Sequence, residues 1–167
     1  MFVSRDFWVS VLSWTGVAVK GLTLCFLIFL FFVFMSGLDF VVHRVLYSYG
    51  LRFSYDWAVF YWDIYGCVFL IFGAVVGFVY WLGSDRKWKA VKISTCLFLS
   101  VYLLFLGGLA DVVWFVLWGG GLPSGDVLWW WMPWFRIFGF WNSFAQLCLL
   151  SVVFAVVGLF WIWILGS

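Results

Sequence analysis

From Ile137 to Gly166 the chain runs thirty residues, "IFGFWNSFAQLCLLSVVFAVVGLFWIWILG", without one charged side chain. A bilayer core of about 30 Å takes about 20 mainly apolar residues as a helix. Three further runs meet that requirement: "GLTLCFLIFLFFVFMSG" (Gly21 to Gly37), "IYGCVFLIFGAVVGFVYWLG" (Ile64 to Gly83) and "VKISTCLFLSVYLLFLGGLADVVWFVLW" (Val91 to Trp118). Inside hydrocarbon each backbone N–H and C=O must be bonded within the protein, which leaves helices or a closed barrel. These runs are continuously apolar and lack the alternation of barrel strands, so they are predicted to be helical. The expected fold is all-α: an integral membrane protein with four transmembrane helices in one bundle. It forms a single transmembrane domain over 1–167, with spans of about 21–37, 64–83, 91–118 and 137–166. Composition agrees, since 68% of residues are hydrophobic where soluble domains carry about 45–50%.

Orientation follows from the cations. Arg5, Lys20, Arg86, Lys87, Lys89 and Lys92 fall on one side of the predicted spans, and Arg44, Arg52 and Arg136 on the other. The excess places both termini and residues 84–92 on the cytoplasmic side of the cell membrane. Residues 38–63 and 119–136 then form extracytoplasmic connections. The start, "MFVSRDFW", lacks the order of a signal peptide and reads as mature sequence. Residues 7–20 either extend the first helix or lie in the interface. The net charge of +2 offers no basic patch for a nucleic acid. Cys25, Cys67, Cys96 and Cys148 fall one to each apolar run, without CxxC spacing or a paired His, and read as packing residues.

Both predicted extracytoplasmic connections are rich in Tyr and Trp, whose rings favour the headgroup level. An aromatic belt accounts for this. The interleaving of Asp39, Asp56, Asp63 and Asp126 points instead to a docking cap, with Tyr61, Trp62, Trp130 and Trp134 as contact residues. Asp39 and His43 are four apart, so a helix would present both on one face, as a metal-ligand pair or an interfacial ion pair. Asp111 interrupts the third run. It is either a buried charge with a role in proton transfer or the mark of an outer helix end near Gly107. Asn142 and Gln146, also four apart, suit hydrogen bonds to neighbouring helices. Gly66, Gly73 and Gly77 form a small-residue ridge for close helix approach.

Absent residues exclude several chemistries. One His cannot supply a bis-His haem, no glycine loop precedes a Lys for nucleotide phosphates, and no nucleophile has a base partner. Charges are scarce in the spans, which argues against a stand-alone ion-coupled transporter. The chain by itself is predicted to be non-catalytic, with no cofactor of its own.

The segment "VLYSYGLRFSYDWAVFYW" (Val45 to Trp62) resembles the N-terminal part of the C subunit of copper membrane monooxygenases, the family of particulate methane and ammonia monooxygenases. Gly50-Leu51 and Tyr61-Trp62 carry the resemblance, followed by Trp81 and the charged turn "SDRK" (Ser84 to Lys87). It covers roughly residues 20–105. That C subunit binds copper through an Asp and two His on later helices, and the single His here carries over no copper ligand. The resemblance therefore implies an accessory, metal-free helical subunit of a hetero-oligomeric membrane oxidoreductase of energy metabolism. Copper would sit in a partner chain, and other integral-membrane subunits and lipid would be the partners. Archaeal members are similar in using small extra membrane subunits. Two other readings stay open: a small subunit of a quinone-linked respiratory complex, and a small homo-oligomeric transporter or channel.

Overall fold

The computed structural model describes the backbone of residues 5–51 and 55–166, and the side chains of residues 21–51 and 60–166. The regular structure among the described residues is helical, in six segments: α1 (Arg5–Ser48), α2 (Tyr55–Leu82), α3 (Trp88–Leu106), α4 (Leu109–Leu117), α5 (Pro133–Phe138) and α6 (Ser143–Gly166). Four are long and apolar enough to cross a membrane, over Gly21–Ser48, Phe60–Leu82, Trp88–Leu106 and Ser143–Gly166. The all-helical, four-span architecture is thus the one expected.

The boundaries differ from those read in the sequence. α1 is one continuous helix from Arg5, so residues 7–20 extend it; their side chains lie outside the described residues, as do those of Arg52 and Asp56. It also runs past Gly37 to Ser48, and α2 already begins at Tyr55. Most of the 38–63 connection is therefore helix. At 1.5 Å per residue, Gly21–Ser48 is about 42 Å long, which exceeds a bilayer core of about 30 Å. α1 stops at a Schellman cap: Gly50 has φ +73°, and the Leu51 N–H reaches the Leu46 carbonyl at 3.0 Å. A residue with positive φ followed by an apolar one is a general way to end a helix. This gives Gly50-Leu51 a local physical reason.

The third run, 91–118, is not one helix. α3 ends at Leu106, and Gly108, at φ +72°, turns the chain into α4. α4 leaves α3 and packs on α1, where Trp118 lies over Gly37. A Cβ on Gly37 would meet that ring at 3.1 Å, so glycine admits the indole. Trp118 Nε1 also donates to Ser36 Oγ at 3.2 Å. The fourth run is shortened as well. Residues 137–142 leave the span because Gly139 (φ +66°) ends α5 and Asn142 caps α6. The Asn142 Oδ1 accepts the Ala145 N–H at 3.0 Å, filling one of the donors a helix start leaves unbonded.

The glycine ridge joins α2 to α3. A Cβ on Gly77 would lie 2.8 Å from the Ser94 carbonyl, and one on Gly73 would lie 3.2 Å from the Phe98 carbonyl; Gly66 faces Phe105. Close backbone approach allows Ser94 Oγ to donate to the Gly77 carbonyl at 2.6 Å, a polar tie of the kind that joins helices in lipid. α1 reaches α2 through large rings instead: Phe31 stacks on Phe72 at 3.6 Å, and Phe32 lies 4.7 Å from Phe69. The core centres on Phe32, Met35, Phe69, Val101 and Phe105.

Consecutive spans alternate in direction. The 83–87 turn therefore lies at one end of the bundle, where Lys92 approaches the Trp163 ring. The connection from α4 to α6 closes the other, the cap end. There Trp129, Met132 and Trp141 form a second buried cluster. Asn142 Nδ2 donates to the Gly125 carbonyl and Ser143 Oγ to the Pro123 carbonyl, each at 2.6 Å.

Candidate functional site

At the cap end, between α1, α2, α4 and the cap, lies a cavity of about 610 Å³. α1 supplies Ser36, Asp39, Phe40, His43, Arg44 and Tyr47 to its wall. These positions recur every three or four residues and so share one face of a helix. α2 adds Tyr61, Trp62 and Tyr65, and α4 adds Ala110, Asp111, Trp114 and Phe115 by the same spacing. Phe105 forms part of the wall from α3, and Trp130 and Trp131 line it from the cap.

The polar groups are arranged in two sets. In the first, the Tyr61 hydroxyl lies 2.6 Å from Asp39 Oδ1 and 2.8 Å from the Tyr65 hydroxyl. A phenol has one proton, so with Tyr61 donating to Asp39 it is Tyr65 that donates to Tyr61. His43 Nδ1 lies 3.0 Å from both the Asp39 carbonyl and Oδ1. Helical spacing thus places His43 on Asp39, as expected, and α2 brings two tyrosines to the same carboxylate. In the second set, Asp111 stands in the first turn of α4 and accepts the Trp131 indole N–H at 3.3 Å. Burial, and next the charge of Asp39, push the Asp111 carboxyl up to about 7, because a desolvated carboxylate beside another negative charge is disfavoured. No Lys, Arg or His nitrogen among the described residues lies within ion-pair distance of it.

Rings enclose both sets. Trp114 stands edge-on to His43 at 6.2 Å and to Phe115 at 4.9 Å, and Phe115 lies 6.0 Å from Trp131. The buried Trp114 N–H has no hydrogen-bond partner among the described residues. Arg44 is exposed, its guanidinium 6.0 Å from the Phe40 ring.

The sequence-derived candidates separate into three groups. Asp39, His43, Tyr61, Trp62, Asp111 and Trp130 meet at the cavity. Asn142, Gln146 and Trp134 hold the cap instead: Trp134 Nε1 donates to the Leu106 carbonyl at 3.3 Å, and Gln146 bonds the Gly107 carbonyl and accepts from Trp141 Nε1. Gly66, Gly73 and Gly77 lie within the α2–α3 contact. Phe40, Tyr65, Trp114 and Trp131 were not singled out by sequence. The i, i+4 spacing of Tyr61 with Tyr65 and of Phe40 with Arg44 carried that signal, once α1 and α2 are continued through the connection.

Among the described residues no three His, Cys, Asp or Glu gather as metal ligands. Asp39 and His43 pair with each other, and Asp111 shares their cavity. No family model matches the chain, and neither a curated protein nor a solved structure matches it.

Proposed function

We propose that this is a non-catalytic membrane protein that binds a hydrophobic or amphipathic molecule in the cavity at its cap end. The observation that carries the reading is the cavity itself: aromatic walls from five separate parts of the chain around a few convergent polar groups. That is the usual make-up of a small-molecule site. No cluster of metal-ligating residues accompanies it among the described residues. The cation count supports placing this end outside the cytoplasm. The test uses purified protein in lipid nanodiscs with two isosteric probes, benzyltrimethylammonium and neopentylbenzene. At least one should bind saturably, and A110W, which fills the cavity from α4, should abolish it. Saturable binding by neither probe refutes the reading.

A second reading, favoured by the resemblance of Val45–Trp62, makes the chain an accessory subunit of a copper-dependent monooxygenase assembly, with copper held by a partner chain. It is compatible with a binding cavity and is tested separately. Purification from native membranes should yield the chain with redox subunits and copper. Haem or flavin in place of copper would favour a quinone-linked complex, and a stable monomer would refute both. The transporter alternative rests on Asp111; flux in proteoliposomes that D111N leaves unchanged would remove it.

A further inference from the structure

The charge pattern of the cavity narrows the class of guest. Two carboxylates, Asp39 and Asp111, line it. Asp39 already accepts from Tyr61 and pairs with His43. Asp111 accepts one indole N–H and has no Lys, Arg or His nitrogen within ion-pair distance among the described residues; the charge of His43, which sits on Asp39, reaches it only from further off. A carboxylate removed from water without a counterion in contact is costly, so a cation entering beside Asp111 relieves a penalty built into the fold.

The walls act in the same sense. Ring faces carry negative potential, and aromatic cages recognise ammonium groups through it. The Tyr61 and Tyr65 hydroxyls add no competing donors, because both hydrogen-bond inward toward Asp39, which leaves the Trp114 N–H as a donor in the wall unbonded among the described residues. The cations of the site are His43, held on Asp39, and Arg44. Arg44 is exposed, where water and salt screen it, and its guanidinium stands 6.0 Å from Phe40. An acid or phosphate as guest would face two carboxylates with only His43, already held on Asp39, to offset the repulsion.

We propose that the cavity holds an amphipathic organic cation, its ammonium beside Asp111 and Asp39 among the rings, and its apolar part against Phe105 and Phe115. This rests on the reading of the cavity as a binding site, and it names the class of ligand. The guest is a small amine carrying an apolar body; a bare metal ion does not suit walls made of rings.

Benzyltrimethylammonium and neopentylbenzene have the same shape and differ in one positive charge. In nanodiscs of neutral lipid, the cation should bind the wild-type chain at least tenfold more tightly than its isostere. D111N should remove most of that preference, and D39N part of it, with neopentylbenzene still bound saturably by each variant. Retention of the neutral probe certifies that each variant keeps its cavity. If the two probes bind equally well, or if D111N keeps the full preference for the cation, the inference is overturned while the cavity remains a binding site. If neither probe binds, the underlying reading fails with it.

Discussion

Replacing Gly108 with Ala tests how the cap is locked to the spans. Gly108 sits at φ +72°, and a Cβ there would stand 2.1 Å from Gln146 Nε2. Two costs follow. An L residue held in the left-handed region costs about 1–2 kcal/mol. Gln146 must also leave its place, and with 0% exposure it has no water to turn to. Its departure removes the partner of the Gly107 carbonyl and of Trp141 Nε1. Polar groups left buried and unbonded cost about 1–3 kcal/mol, although hydrogen bonds in membrane proteins average nearer about 0.6 kcal/mol. Together these give a destabilisation of about 2–5 kcal/mol, read by SDS titration from mixed micelles. The double variant G108A/Q146A separates the two causes. Removing the glutamine side chain relieves the clash, so the double variant should be less destabilised than the sum of the singles by about 1 kcal/mol or more. Additive costs, or a G108A variant within about 0.5 kcal/mol of wild type, would refute the proposed lock.

Other consequences are open to measurement. G77A should destabilise the α2–α3 pair by about 1–3 kcal/mol, because its Cβ would lie 2.8 Å from the Ser94 carbonyl. G158A, with nothing within 4 Å of the added carbon, should be neutral or stabilising by about 0.5–1 kcal/mol; equal effects in the same titration would contradict the packing assigned to the ridge. Asp111 has its folded-state pKa raised from 3.8 to about 7, so the folded state retains a proton that the unfolded chain gives up. Its share of stability is present below pH 3.8, falls as pH rises to about 7 and is level above. D111N should flatten that part of the profile; identical profiles would exclude Asp111 as the source. Finally, S84C and S124C should react with an impermeant maleimide from opposite sides of the membrane, S124C from outside. Labelling from one side, or from the reversed sides, would refute the orientation.

The number of spans was legible because apolar length is additive along the chain and each run must satisfy its own backbone. The α2 ridge was legible too, since small residues at Gly66, Gly73 and Gly77 repeat on one face. Less legible was the role of the aromatic connection. Its Tyr, Trp and Asp look like surface residues when 38–63 is read as a loop, whereas α1 runs to Ser48 and α2 starts at Tyr55. The polar positions thereby fall on helix faces that meet. Asp111 stood out in the sequence as a charge in an apolar run, but its pairing with Trp131 depended on a cap twenty residues further on.

Hydropathy and backbone hydrogen bonding, both local properties, sufficed to make this chain a four-span helical membrane protein. Tertiary structure decided where the third run breaks and what the break creates. Gly107-Gly108 could have been accommodated in a straight helix. Gln146 on α6 and the Gly37 groove on α1 supply the contacts that hold α4 turned away from α3. That turn brings Asp111 and Trp114 opposite Asp39 and Tyr61 and opens the cavity between them. Such an outcome depends on which side chains meet across distant parts of the chain, and no local pattern encodes it.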